Sequence, residues 1–134
     1  DLIFSPGGED QATWNYVDLV AASITPVWTI NAGMCMSNGL TMLLAGHKRF
    51  ALKHSSGMYH SGSASLAGTK EQVDSATKYV ASQDKMYEKW FMDHCNVDQK
   101  LFNRKRKMDW YLNAEEMLEY GMVDKIIDNL DEVM

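Results

Sequence analysis

The stretch with most capacity for chemistry is Gly33-Met-Cys-Met-Ser-Asn-Gly39. Val27 to Ile30 reads as a buried strand leading into it, and Leu40 to Ala45 continues it as an apolar helix. A strand therefore feeds a turn, and a serine opens a helix. That geometry lifts the Ser37 hydroxyl clear of the backbone, beside the unpaired N–H groups of a helix start, which can hold an oxyanion. Serine is equally a common helix N-cap, and on this motif alone capping is the simpler reading. A serine nucleophile also needs a base, and the base needs an orienting partner. Four histidines are available: His47, His54, His60 and His94. His47 and His94 fall at helix ends, where surface or capping roles suffice. His54 and His60 bracket Ser55-Ser-Gly-Met-Tyr59, and spacing does not choose between them. Ser5-Pro-Gly-Gly8 is the second informative stretch, because two glycines after a strand let backbone N–H groups approach a ligand. Taken alone it is an ordinary turn.

The bulk properties narrow the partners. The 134 residues suit one domain, and 46% hydrophobic with 23% charged residues is a globular balance. A net charge of -5 repels phosphate backbones, so nucleic acid is not expected as a partner. The basic run Asn103-Arg-Lys-Arg-Lys107 reads as the solvated end of a helix. Cys35 and Cys95 lie far apart with no metal-type spacing, so no metal is expected and a reducing compartment fits. No charged residue occurs between Leu19 and His47, yet Pro26, Asn31, Gly33, Ser37, Asn38 and Gly39 interrupt the run. A central buried strand with flanking helices explains it better than a membrane span of about twenty apolar residues. No membrane partner and no signal peptide are expected.

The elements that must position these residues alternate. Leu2 to Phe4 reads as a strand, Gln11 to Ala22 as an amphipathic helix, and Arg49–Lys53 and Gly57–His60 as further strands. Asn31 to Gly39 reads as a glycine-punctuated turn, with Gly46 closing the helix after it. Ser61 to Thr69, rich in Ser, Gly and Ala, reads as a loop or weak hairpin. Val73, Ala76, Val80, Gln83, Tyr87, Trp90, Phe91 and His94 recur at helical steps and predict a long helix from about Lys70 to His94. Asp98 caps a short helix to about Lys105. Asn113-Ala-Glu-Glu116 matches a capping box, opening a helix that Gly121 closes, and Met122 to Ile127 reads as a last strand or extended segment. Alternating strands and helices predict an α/β domain with a largely parallel sheet.

Several stretches together resemble the ClpP family of Clp-type serine peptidases, in order and spacing. Phe4-Ser-Pro-Gly-Gly8 is similar to that family's Asn-Ser-Pro-Gly-Gly turn. Gly33-Met-Cys-Met-Ser-Asn-Gly39 is similar to its Gly-x-x-x-Ser-x-Gly nucleophile turn, and Met58-Tyr-His60 to its Met-Ile-His. Asp109-Trp-Tyr-Leu-Asn-Ala-Glu-Glu-Met-Leu-Glu-Tyr-Gly-Met-Val-Asp124 resembles its C-terminal signature. The resemblance implies a ClpP/crotonase-like α/β fold: parallel sheet, flanking helices and a protruding handle helix, here the one from Lys70. It implies a serine endopeptidase with Ser37 as nucleophile, His60 as base and Asp109 as the residue orienting the histidine. The backbone N–H groups of Gly8 and Asn38 would form the oxyanion hole, the Asn38 side chain having no part. Substrate would bind as an added strand near Glu9, Asp10, Ser63, Ala64 and Ser65.

The resemblance further implies a homo-oligomer, stacked heptameric rings enclosing a chamber, fed with unfolded proteins or peptides by an AAA+ unfoldase. ATP would be used only by that unfoldase, with no cofactor in this chain, and the location would be the cytoplasm or an organelle matrix. The family carries further strands and a helix before Ser-Pro-Gly-Gly, so this single domain is expected to lack its N-terminal segment, leaving Leu2–Phe4 as a sheet's stranded end. Ser61-Gly62 stands where the family has Gln-Pro, and Ser63-Ala-Ser-Leu-Ala-Gly68 replaces its glycine-rich substrate strand. Cys35 reads as a filler whose oxidation could block the site. The alternatives are a capsid-maturation protease of Clp type, a non-catalytic ClpP-like ring subunit, and a crotonase-like thioester enzyme. The last has no need of the serine and histidine motifs.

Overall fold

A computed structural model describes residues 1–5, 7–62 and 65–134. Six strands form one mixed sheet, with helices packed around it: β1 (Leu2–Ser5), α1 (Asp10–Ala22), β2 (Trp28–Met36), α2 (Asn38–Leu44), β3 (Lys48–Leu52), β4 (Ser56–Tyr59), α3 (Lys70–Asp93), α4 (Gln99–Lys105), β5 (Trp110–Asn113), α5 (Ala114–Glu119) and β6 (Lys125–Ile127). A short 3-10 turn follows at Leu130–Glu132. The α/β class and the flanking helices agree with the sequence reading. No described helix is long and apolar enough to cross a membrane.

β2 is the trunk of the sheet. Ile30 pairs with Leu2 on one side and Phe50 on the other, and Cys35 pairs with Ser5 and Gly57. β1 therefore runs along one edge of β2, while β3 and then β4 follow each other along the other. From there the sheet divides into two arms, β3 pairing β6 in parallel and β4 pairing β5 antiparallel.

Two expectations need correction. The strand expected over Val27–Ile30 runs on to Met36, so residues 31–36 belong to it and the turn shrinks to Ser37. Asn31 does not break the strand because its buried amide is satisfied: Nδ2 donates to the Ser56 carbonyl at 2.9 Å, and Oδ1 accepts from Gly33 N–H at 3.1 Å. Gly33 lets the exposed Phe4 ring lie over the strand where a β-carbon would stand. β5 was not anticipated at all. Leu2–Ser5 forms β1, which pairs in parallel with β2 alone, the register shifting between Ile3 and Ser5.

The main core lies between the sheet and α2, α3, α4 and α5. Its centre is aromatic: the Tyr59 ring sits 4.4 Å from Phe91 and 5.5 Å from Phe102, and it stacks on Tyr87 at 5.6 Å. Trp14 brings α1 against α3 edge-on, 6.0 Å from Tyr87 and 5.7 Å from Trp90. The long helix matches its periodicity closely, starting from a capping box in which Thr69 and Gln72 exchange bonds. Phe91 is its one fully buried residue among those described, so only its C-terminal part is anchored in the core.

Candidate active site

The sheet's pairing registers assemble the site. Met36 of β2 lies beside Met58 of β4, and Ser37 N–H continues that ladder by donating to the Met58 carbonyl at 2.8 Å. Ser37 and His60 thus emerge at the same end of two parallel strands. Side chains alternate along a strand, so Tyr59 entering the core turns its neighbour His60 the other way. The antiparallel pairing of Tyr59 with Trp110 sets His60 across from Asp109. Three residues distant in sequence meet at one sheet end, where crevices in α/β folds form.

His60 Nε2 lies 2.8 Å from Ser37 Oγ. His60 Nδ1 lies 3.5 Å from Asp109 Oδ1, with side-chain exposures of 38% and 58%. That second contact is too long for a well-made hydrogen bond and is open to water. His54 is exposed in the turn between β3 and β4, far from any such role. His47 is exposed too, its Nδ1 accepting from the Val27 N–H. His94 ends α3, bonded to the Trp90 carbonyl through Nδ1 and stacked on the Trp90 ring.

Ser37 stands at the N-cap position of α2, yet its side chain makes no capping bond there. Its φ of 54° and ψ of -118° make it the one non-glycine residue with positive φ among those described. A non-glycine residue in that region is strained, and the strain points its hydroxyl at His60 instead of back along the helix. The capping explanation, the simpler one on sequence, does not hold.

Gly7 and Gly8 lie against this turn. Gly7 has φ +109°, and a β-carbon on it would stand 3.0 Å from both the Met36 carbonyl oxygen and Ser37 Cβ, so only glycine fits. Neither the Gly8 nor the Asn38 N–H has an acceptor among the described residues. The Asn38 side chain, expected to be idle, is a clasp: Nδ2 donates to the Gly8 carbonyl at 2.5 Å and to Asp10 Oδ1 at 2.8 Å. It ties the glycine turn to the serine turn. Nothing in the sequence pattern signalled this.

The segment after Gly8 is not an open strand. Glu9 caps α1, its carbonyl accepting from Thr13 N–H at 3.2 Å and Thr13 Oγ1 at 2.9 Å, and Asp10 is already helical. Asp10 instead offers its carboxylate to a cleft beside Ser37. Ser65 is exposed outside any helix or strand, while Ser63 and Ala64 lie outside the described residues. The cleft, of about 320 Å³, is bounded by α1, α2 and α3 and reaches Ser37 and His60. Cys35, two residues before Ser37, is fully buried, and burial pushes its thiol up to about 12. It stays protonated and unreactive, a filler as expected, with no exposure to oxidants.

The family model for Clp protease matches residues 2–130. The chain belongs to the Clp protease family. It is 34% identical over 129 residues, 95% of this chain, to the ATP-dependent Clp protease proteolytic subunit of Deinococcus radiodurans, covering 63% of that protein. It is 31% identical to proteolytic subunit 1 of Streptomyces avermitilis over 98% of this chain and 61% of that protein. To the proteolytic subunit of Porphyromonas gingivalis it is 31% identical over 92% of this chain and 57% of that one. The chain thus spans about three-fifths of the length of these relatives. Within that span lie both turns, both arms of the sheet and the long helix of this Clp protease family member.

Proposed function

We propose that this chain is the catalytic part of a serine endopeptidase acting on unfolded proteins or peptides through Ser37, His60 and Asp109. The observation that carries the reading is Ser37 Oγ at 2.8 Å from His60 Nε2, on a strained turn that frees the hydroxyl from capping. With Nε2 accepting the serine proton, Nδ1 carries the other proton and faces Asp109. Ser37 Oγ attacks the peptide carbonyl carbon while its proton passes to His60. The carbonyl oxygen becomes an oxyanion, received by the N–H groups of Gly8 and Asn38. His60 then gives the proton to the leaving amine, the C–N bond breaks, and an acyl ester remains on Ser37. Water, deprotonated by His60, repeats the sequence and frees the acid. Asp109 holds the imidazole and balances its charge. Its 3.5 Å contact is the loose point of the site, and closing substrate over it strengthens the pair by excluding water.

Asn38 acts as a positioning residue, holding the Gly8 turn at a fixed distance from the nucleophile. The peptide lies along the segment after His60, towards Ser65. The relatives are named as proteolytic subunits of an ATP-dependent Clp protease, which supports a role as one subunit of such a protease. The setting proposed for it is a homo-oligomeric chamber supplied with substrate by an ATP-dependent AAA+ unfoldase. Heptameric rings are the expected form. No cofactor takes part in the chemistry of this chain.

The test is intact mass after incubation with a fluorophosphonate, on the protein and on Ser37→Ala. One adduct on the parent and none on the variant is expected, with peptidase activity lower by several orders of magnitude in Ser37→Ala. An unlabelled parent overturns the reading in favour of a structural relative.

A further inference from the structure

The cleft beside Ser37 has walls of mixed character. Trp14, Val80 and Tyr87 supply apolar surface, and Asp10, Gln83 and Asp84 supply polar groups. No lysine or arginine lines it among the described residues. Its two carboxylates are not equivalent. One Asp10 oxygen accepts from Asn38, whereas Asp84 has no ion pair or hydrogen bond among the described residues. At about 320 Å³ the cleft is at the small end for a binding site, room for one long side chain of a peptide whose carbonyl lies on Ser37. A side chain with an apolar stem and a cationic tip suits such walls, its stem against aromatic surface and its charge beside a carboxylate. The protein's own net charge of -5 favours the same sign of ligand.

We propose that Asp84 makes this cleft selective for lysine or arginine at the residue whose carbonyl Ser37 attacks. This rests on the serine peptidase reading and adds the substrate's side-chain class to it. An acidic residue at that position is repelled by both carboxylates, and a neutral aliphatic one leaves Asp84 without a partner.

The experiment compares peptidyl diphenyl phosphonates that share one peptide and differ only in a lysine-like, norleucine-like or glutamate-like end group. A simple fluorophosphonate with no peptide accompanies them. Adduct formation is followed by intact mass on the parent, Asp84→Asn and Asp84→Lys, all checked for folding by circular dichroism. The lysine-like reagent should react about fivefold faster than the norleucine-like one, as one partly exposed charge pair allows. The glutamate-like reagent should be slowest, and high salt should narrow the spread. The lysine-to-norleucine ratio should fall towards unity in Asp84→Asn and invert in Asp84→Lys. A norleucine rate equal to or above the lysine rate in the parent, or a lysine preference surviving both substitutions, overturns the proposal. If the fluorophosphonate labels Ser37 in either case, the peptidase reading stands without it. If no reagent labels Ser37, both fall together.

Discussion

The two arms of the sheet are held by opposite means. The β3–β6 arm is tied by charge: Arg49 donates to the carbonyls of His94 and Gly121, the latter at 2.8 Å, and pairs with Asp124 Oδ1 at 3.0 Å. Its apolar support is slight, a small cluster around Ile30, Phe50 and Ile127. The β4–β5 arm has Tyr59, Phe91, Phe102 and Trp110 beneath it, and the polar contact that joins its two strands at the tip, His60 with Asp109, is long and wet. The densest polar network among the described residues thus lies away from the candidate site, which depends on packing below it. A good ion pair fixes a loop, whereas a bed of rings fixes the direction in which a strand end delivers its next side chain.

The largest effect should come from emptying that bed. Tyr59→Ala removes a ring in contact with three others and should cost about 3–5 kcal/mol, a large share of a domain's stability. Chemical denaturation should report the loss, and Ser37 labelling should slow in the fraction still folded, because His60 is the next residue. Unchanged labelling there would break the link between packing and site.

Arg49→Met should cost about 2 kcal/mol by leaving two carbonyls without their donor and Asp124 with only the backbone N–H of residue 49, while Ser37 labelling per folded molecule stays at the parent rate. The same network sets an acid dependence. Partial burial of Asp124 raises its pKa, but hydrogen bonds and charge from Arg49 outweigh this and leave it below the ordinary 3.8. Its contribution is therefore complete above pH 3.8 and disappears as pH falls through the lower folded value. Melting curves of the parent should decline more steeply than those of Arg49→Met across that acid range. Parallel curves would mean the arm is held by its apolar cluster instead.

The smallest effect sharpens the other side. The Tyr59 hydroxyl is buried with no hydrogen-bond partner among the described residues. Tyr59→Phe keeps the ring and removes the unsatisfied group, so stability should stay level or rise by at most about 1 kcal/mol. A clear loss on denaturation would show that the arm depends on a polar bond after all.

What was legible in the sequence was local. α3 declared itself through helical spacing, and α5 through Asn113 and Glu116, whose exchange of capping bonds needs only neighbours. The serine turn was visible, but not its role, because a capping serine and a freed one have the same neighbours. Long-range register was not legible. β5 is only four residues with alternating burial, Trp110 and Leu112 inside, Tyr111 and Asn113 outside, a signal too short to stand out beside the capping box. Without β5 there is no physical reason to bring Asp109 to His60, and only the family likeness suggested it. The Asn38 clasp and the place of Asp84 beside the cleft likewise follow from three helices converging, which no local pattern encodes.

The backbone at Ser37 shows what the arrangement has cost the protein. A left-handed φ of 54° on a residue with a β-carbon is a conformation that folding alone would have given to glycine, at a saving of roughly 1–3 kcal/mol. Ser37→Gly should therefore leave the fold level or sturdier on denaturation. The serine in that conformation is strain held where the candidate site needs a free hydroxyl, and a count of contacts would enter it only as a defect.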